Sequence, residues 1–201
     1  MKVLVGCESS GAVRRAFAAC GHDAWSCDLL AAQDGDPKHI QGDVLAALAG
    51  DWDLAILHPP CTYLSVSGLH WNHRRPERAA QTEAALQFVR DLWAASAHVP
   101  KVCTENPIGV IGTRLMPASQ IVQPYSFGAD ASKATCLWLR GLPKLRATKY
   151  IEPRMVDGRP RWGNQTDTGQ NRLAPSADRW QLRSQTYPGI AAAMADQWGA
   201  Q

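Results

Sequence analysis

A chain of 201 residues, 45% hydrophobic and 19% charged, is long enough for one well-buried α/β domain and too short for two comfortable ones. Its formal net charge of +3 is mild, and no apolar run approaches the length of a membrane span. Met1 to Cys7 is too short an apolar run for a signal peptide and Glu8 closes it, so a cytoplasmic location with no membrane partner is expected.

In chain order, Lys2 to Val5 reads as a short buried strand and Gly11 to Cys20 as a helix with Val13, Ala16, Phe17 and Cys20 on its apolar face. Gly21 suits the end of that helix. Ala24 to Cys27 is a second strand closing on Asp28, and a short third one precedes Gly42-Asp43, with a helix over Val44 to Leu48. Asp53 to Leu57 is the fourth strand. Pro76 to Ala97 is the longest helical stretch, with Pro76 in its first turn and Ala79, Leu86, Val89, Leu92 and Trp93 near one face. Val102 to Glu105 is a fifth strand, Cys136 to Leu139 a later one, and Gly189 to Trp198 a closing helix. Such alternation predicts an α/β fold with a mostly parallel sheet covered by helices on both faces.

From Arg146 to about 180 the periodicity fails. Gly, Pro, Asn, Asp and Gln dominate, and Arg146, Lys149, Arg154, Arg159, Arg161, Arg172 and Arg179, with Arg183 just beyond, crowd this third with Trp162, Trp180 and Tyr187 among them. Arginine interleaved with aromatics suits phosphate and base contacts; a solvated basic face has the same composition.

The six cysteines, Cys7, Cys20, Cys27, Cys61, Cys103 and Cys136, form no Cys-x-x-Cys pair, so neither a zinc ribbon nor a redox motif is indicated and no metal site is expected. Cys61 stands apart. It follows His58-Pro59-Pro60, just past the carboxyl end of a strand, the edge where open α/β sheets bind ligands. A thiol there can act as a nucleophile. Glu105 would end the neighbouring strand, where partial desolvation keeps a carboxyl protonated and able to donate. A turn containing Gly6 and Gly11 between the first strand and its helix lets backbone approach a nucleotide-like ligand, and Asp28 is placed to accept from ribose hydroxyls.

Four segments resemble the DNA cytosine carbon-5 methyltransferase family. Gly6-Cys7-Glu8-Ser9-Ser10-Gly11-Ala12 followed by Asp28 looks like its cofactor-binding opening, and Asp53 to Gly68 resembles its nucleophile motif nearly throughout. Glu105-Asn106-Pro107 resembles its Glu-Asn-Val motif, and Gln185 to Trp198 its closing motif and helix. The resemblance implies a Rossmann-like fold and S-adenosylmethionine as cofactor, held by Gly6, Cys7, Glu8, Ser9, Ser10, Gly11, Asp28, Asp43 and Pro59. It implies Cys61 as the nucleophile and Glu105 as the acid. Pro60, Ser65, Trp71, Arg74, Asn106 and Lys133 are the candidate substrate contacts. For Asp28 and Asp43 the plainer role is a solvated loop carboxylate, for Lys133 a surface lysine, and for His58, His70 and His73 solvated loop residues.

The pattern departs from the family where Ser9, Ser10 and Ala12 stand in place of glycines, Thr62 follows the cysteine and Pro107 replaces valine. The region at about 146–180 is small for reading several base pairs, as in a divergent phage or prophage form without a full target-recognition domain. The expected substrate is therefore cytosine in duplex or single-stranded DNA, with a free pyrimidine nucleotide as one alternative. A non-catalytic nucleic-acid-binding protein on the same scaffold is the other.

Overall fold

The computed structural model describes residues 1–69, 71–72, 74–176 and 179–200, with the side chain of Trp180 outside that description. The elements run β1 (Lys2–Gly6), α1 (Ala12–Ala19), β2 (Asp23–Asp28), β3 (His39–Gln41), α2 (Val44–Leu48), β4 (Leu54–Leu57), α3 (Val66–Leu69) and α4 (Pro76–Ala95). Then come β5 (Lys101–Pro107), α5 (Val110–Arg114), β6 (Gln120–Val122), a single 3-10 turn (Pro124–Ser126), β7 (Thr135–Arg140), β8 (Arg154–Val156), β9 (Arg159–Arg161), α6 (Arg179–Ser184) and α7 (Pro188–Gly199).

Among the described residues, seven strands form one sheet in the order β3-β2-β1-β4-β5-β7-β6. Pairing is parallel from β3 through to β5, while β7 runs antiparallel to both β5 and β6. The sheet is therefore mixed at one edge. Side chains alternate between its faces. Val3, Val5 and Ile56 pack with Phe17 of α1 and with Ile190, Met194 and Trp198 of α7. Leu4, Ala55 and Leu57 face the other way, against Val44 and Leu48 of α2 and Leu92 of α4. Central strands buried on both faces read as continuous apolar runs, which is why Val3-Leu4-Val5 and Leu54-Ala55-Ile56-Leu57 carry no polar residue.

Chain order reverses between β1 and β4: from β1 the next strand lies on one side, and β4 lies on the other. Ligands of open α/β sheets bind in the crevice outside the strand ends at such a switch point. The turn following Gly6 and the loop carrying Cys61 both leave the sheet there.

The segment from Arg146 to Arg179, expected to be irregular, contains the β8–β9 hairpin. Trp162 is 9% exposed and stacks on Tyr125 with ring centroids 4.3 Å apart and planes 11° from parallel. That corrects its expected place among solvent-facing aromatics. Stacking on an aromatic of the main body removes its large apolar surface from water.

Candidate functional site

At the end of β1 the chain packs tightly. A Cβ at Gly6 would stand 2.6 Å from Val44 Cγ2, so glycine alone lets α2 approach this strand end. Cys7 follows in the left-handed region at φ 59°, unusual for a side-chain-bearing residue. Glu8 was expected to face a cofactor. Instead it is 6% exposed and turned inward, with Oε1 accepting from Val13 N at 2.8 Å and Oε2 from Arg14 N at 3.3 Å. Orphan amides at a helix start attract a carboxylate, and Gly11, left-handed at φ 67°, leaves α1 without a side chain of its own at the N-cap. Glycine suits position 11 because its φ of 67° is a backbone conformation that side-chain-bearing residues rarely adopt.

Ser9 and Ser10 face the rim. Ser9 O accepts from Gln33 N at 2.9 Å. Ser10, Ala12, Arg15, Gln33, Asp34 and Gln185 line an open cleft of about 220 Å³. Asp28, half-buried at the end of β2, accepts from Leu30 N at 2.9 Å through Oδ1, and Leu29 beside it is 75% exposed. Asp43 is exposed and accepts from Leu45 N at 2.9 Å as the N-cap of α2. A ligand donor would have to share that carboxylate with the cap.

The loop after β4 is held from three directions. His58 N donates to Gly6 O at 2.9 Å. Asn106 Nδ2 donates to Pro59 O at 2.7 Å from the end of β5. Leu64 N and Ser65 N both donate to Cys61 O, at 3.1 and 3.0 Å, which closes one tight turn around the cysteine. From α4, Arg78 donates to Thr62 O at 2.7 Å and to Gly68 O at 3.1 Å, and Thr82 donates to Tyr63 O at 3.1 Å. Gly109 docks against this loop so closely that a Cβ would stand 1.9 Å from Leu64 O. Pro59 is buried and Pro60 exposed. Ser65 Oγ lies 3.1 Å from Ser67 Oγ.

Cys61 is half-buried among reduced cysteines. Burial pushes its thiol up, and Glu105 adds to this. Desolvation of the sulfur outweighs the cations around it, so the thiol form is favoured. Those cations still set it apart. Lys133 and Arg183 pull the Cys61 thiol down, whereas burial and neighbouring acids push Cys7 up to about 12 and Cys27 to about 11 with no opposing cation. Cys103 and Cys136 are pushed up by burial and Glu105.

Glu105 and His58 differ from expectation together. Their side chains are 11% and 10% exposed, with His58 Nδ1 2.8 Å from Glu105 Oε2. Burial raises the Glu105 carboxyl, but the His58 hydrogen bond and charge, with Lys133 adding, bring it below its ordinary value. Glu105 is thus held ionised rather than protonated. Burial lowers the His58 imidazole, and contact with Glu105, reinforced by Glu8, raises it above its ordinary value despite Lys133. His58 is no solvated bystander. Sequence reasoning gave it the plainer role of a solvated loop histidine, and the signal against that role was its position as the first residue beyond an all-apolar strand.

Lys133, half-buried, donates through Nζ to Arg183 O at 2.8 Å and lies 6.0 Å from the Tyr187 ring centroid. It is tied into the protein at the rim beside Glu105 rather than standing free in solvent. Glu105, Lys133, Thr135, Thr186, Tyr187 and Ile190 enclose a space of only about 10 Å³, the volume of a single water at most.

Trp71 is 39% exposed, with the Arg74 and Arg75 guanidiniums 5.9 and 5.2 Å from its ring centroid. His70 and His73 lie outside the described residues. In the basic region, Arg154 pairs with Asp167 at 2.6 Å and Arg161 donates to Asp167 O at 2.9 Å, so these two arginines brace the hairpin. Among the described residues no group of three His, Cys, Asp or Glu is placed to hold a metal ion, and no helix is long and apolar enough to cross a membrane. Comparison of the chain with protein-family models and with curated proteins gives no match in either.

Proposed function

We propose that this chain is a methyltransferase that modifies carbon 5 of cytosine in DNA through a covalent Cys61 adduct, on a Rossmann-like scaffold for S-adenosylmethionine. The observation that carries the reading is the Asn106–Pro59 hydrogen bond of 2.7 Å, which ties the turn bearing the thiol to the strand bearing the carboxyl beside the switch point. A binder that only held nucleic acid would need neither group.

The cofactor reading is supported by the cleft at Ser10, Gln33 and Gln185 and by the half-buried Asp28 carboxylate at the end of β2. Asp28 would accept from the ribose diol, exposed Leu29 would cover a base face, and the backbone of Cys7 to Gly11 would line the amino-acid portion. The cofactor supplies an electrophilic methyl group. Everything else falls to the protein. Cys61 loses its thiol proton to water and adds to carbon 6, while Glu105 hydrogen-bonds the ring nitrogen as it takes up a proton. Carbon 5 becomes nucleophilic, gains the methyl group and then loses its proton to water as the Cys61–carbon bond breaks and the ring nitrogen returns its proton to Glu105. In duplex DNA the base must first be flipped out, and Trp71 with Arg74, on the loop beyond Cys61, would contact backbone or base.

A second reading, one-carbon modification of a free pyrimidine nucleotide, draws support from the small basic region, in which Arg154 and Arg161 are engaged internally. Incubation with methyl-labelled S-adenosylmethionine and either DNA or dCMP, followed by nucleoside analysis, separates the two. 5-Methylcytosine from DNA is the expected product. Label on dCMP alone favours the second reading, and label on neither contradicts both.

A further inference from the structure

We propose that His58 stores the proton that Glu105 delivers to the ring nitrogen of the target pyrimidine, acting as a positioning residue behind the acid. This rests on the methyltransfer reading and deepens it, because a carboxylate held ionised has no proton of its own to give.

The geometry makes the two residues a closed pair. His58 is fixed by its backbone to Gly6 O, and its Nδ1 faces Glu105 Oε2 at 2.8 Å. Its Nε2 is buried with no hydrogen-bond partner among the described residues, so Glu105 is the one group that can exchange a proton with the ring by direct contact. The charged and titratable groups around the pair are Glu8 from the end of β1, Lys133 ahead of β7, Cys61 on the β4 loop, Cys103 on β5 and Cys136 on β7. Glu8 favours the imidazolium and Lys133 opposes it. In transfer, the His58 N–H bond breaks as a Glu105 O–H bond forms, and that O–H breaks as the N–H of the base forms. Neutral imidazole, carboxylate and a protonated base remain, and the electron pair of the attacking thiolate neutralises the base. When the Cys61–carbon bond breaks, the ring nitrogen returns its proton to Glu105 and Glu105 passes it back to His58.

The pair titrates as a unit. Its upper macroscopic protonation constant is the sum of the constants for two routes, at His58 and at Glu105, so the upper pKa cannot lie below that of Glu105 beside a neutral donor. His58→Asn keeps a donor near the Nδ1 position and removes the first route, so the alkaline limb of the reaction must move to lower pH. The readout is the rate of Cys61 adduct formation on 5-fluorocytosine DNA between pH 5.5 and 9. In H58N the ratio of rates at pH 8 and pH 6 falls by about tenfold, the result of an alkaline limb that begins about one pH lower. A merely structural histidine would give a slower variant with an unmoved limb, and that result overturns the proposal.

A second measurement needs neither turnover nor the His58 variant. Followed by ring 15N chemical shifts, His58 titrates above the ordinary imidazole value of about 6.5 in the wild type and below it in Glu105→Gln, where only burial remains. The same midpoint in both proteins overturns the proposal. Absence of any adduct from wild type at every pH sinks the methyltransfer reading itself, and proton delivery with it.

Discussion

Asn106 Nδ2 reaches the Pro59 carbonyl at 2.7 Å while the next residue before it, Glu105, reaches His58. Two consecutive residues at the end of β5 thus grip two consecutive residues at the end of β4. The nucleophile loop is positioned by this double link and by α4.

Asn106→Ala leaves the Pro59 carbonyl without its donor, and a buried acceptor left unpaired costs about 1–3 kcal/mol. Urea denaturation should show a loss of that size. Formation of the Cys61 adduct should slow, while binding of S-adenosylhomocysteine, read as a rise in melting temperature, should persist because the other turn carries it. An unchanged urea midpoint would contradict the link.

Lys133 and Arg183 oppose the burial that raises the Cys61 thiol. Lys133→Met removes one of them, so the thiolate fraction at pH 8 should fall and alkylation of Cys61 by iodoacetamide should slow severalfold. Peptide mapping provides the comparison, with exposed Cys20 reacting at the same rate in both proteins. Equal Cys61 rates in wild type and variant would remove Lys133 from the thiol's electrostatics.

The His58–Glu105 pair makes stability depend on pH in both directions. Glu105 is depressed in the folded protein, so its contribution is present above the unfolded value of about 4.3 and is lost as pH falls through the folded one. His58 is raised, so its contribution is complete below about 6.5 and is lost as pH rises through the folded value. The stability difference between wild type and Glu105→Gln should therefore be largest between those limits and shrink on either side. A difference that grows steadily above pH 7 would contradict the pairing.

Much of this was legible in the chain. The apolar runs at β1 and β4, with Gly6 ending β1, Asp28 ending β2 and His58 just beyond β4, placed those strands and the site edge, because strands buried on both faces leave little ambiguity. The antiparallel insertion of β7 was not legible. Three-residue β6 carries no periodicity, and the reversal depends on its pairing with β7. The β8–β9 hairpin was hidden in the same way, its strands too short and polar to announce an alternation. Charge states misled for a different reason. Burial alone predicted a protonated Glu105, and the imidazole that reverses this arrives from another strand. Glu8, read as part of a ligand turn, caps α1 instead because Gly11 gives the helix no cap of its own.

Trp162 tests the placement of the basic region. Trp162→Ala removes its stack on Tyr125, and truncating a buried aromatic costs about 3–5 kcal/mol. Limited trypsin digestion should then cut faster after Arg154 and Arg161 than in wild type. Unaltered cleavage would mean that the stack does not hold the hairpin.

The central claim is a covalent bond from Cys61 to the pyrimidine, and one measurement tests it directly. Fluorine at carbon 5 cannot leave as a proton, so DNA containing 5-fluorocytosine should trap the protein after transfer of the methyl group. Denaturing gel electrophoresis and peptide mass spectrometry should place the adduct on Cys61, with none formed by Cys61→Ala and severely slowed formation in Glu105→Gln. An adduct on another cysteine, or a Cys61→Ala protein that still methylates cytosine, would contradict the account.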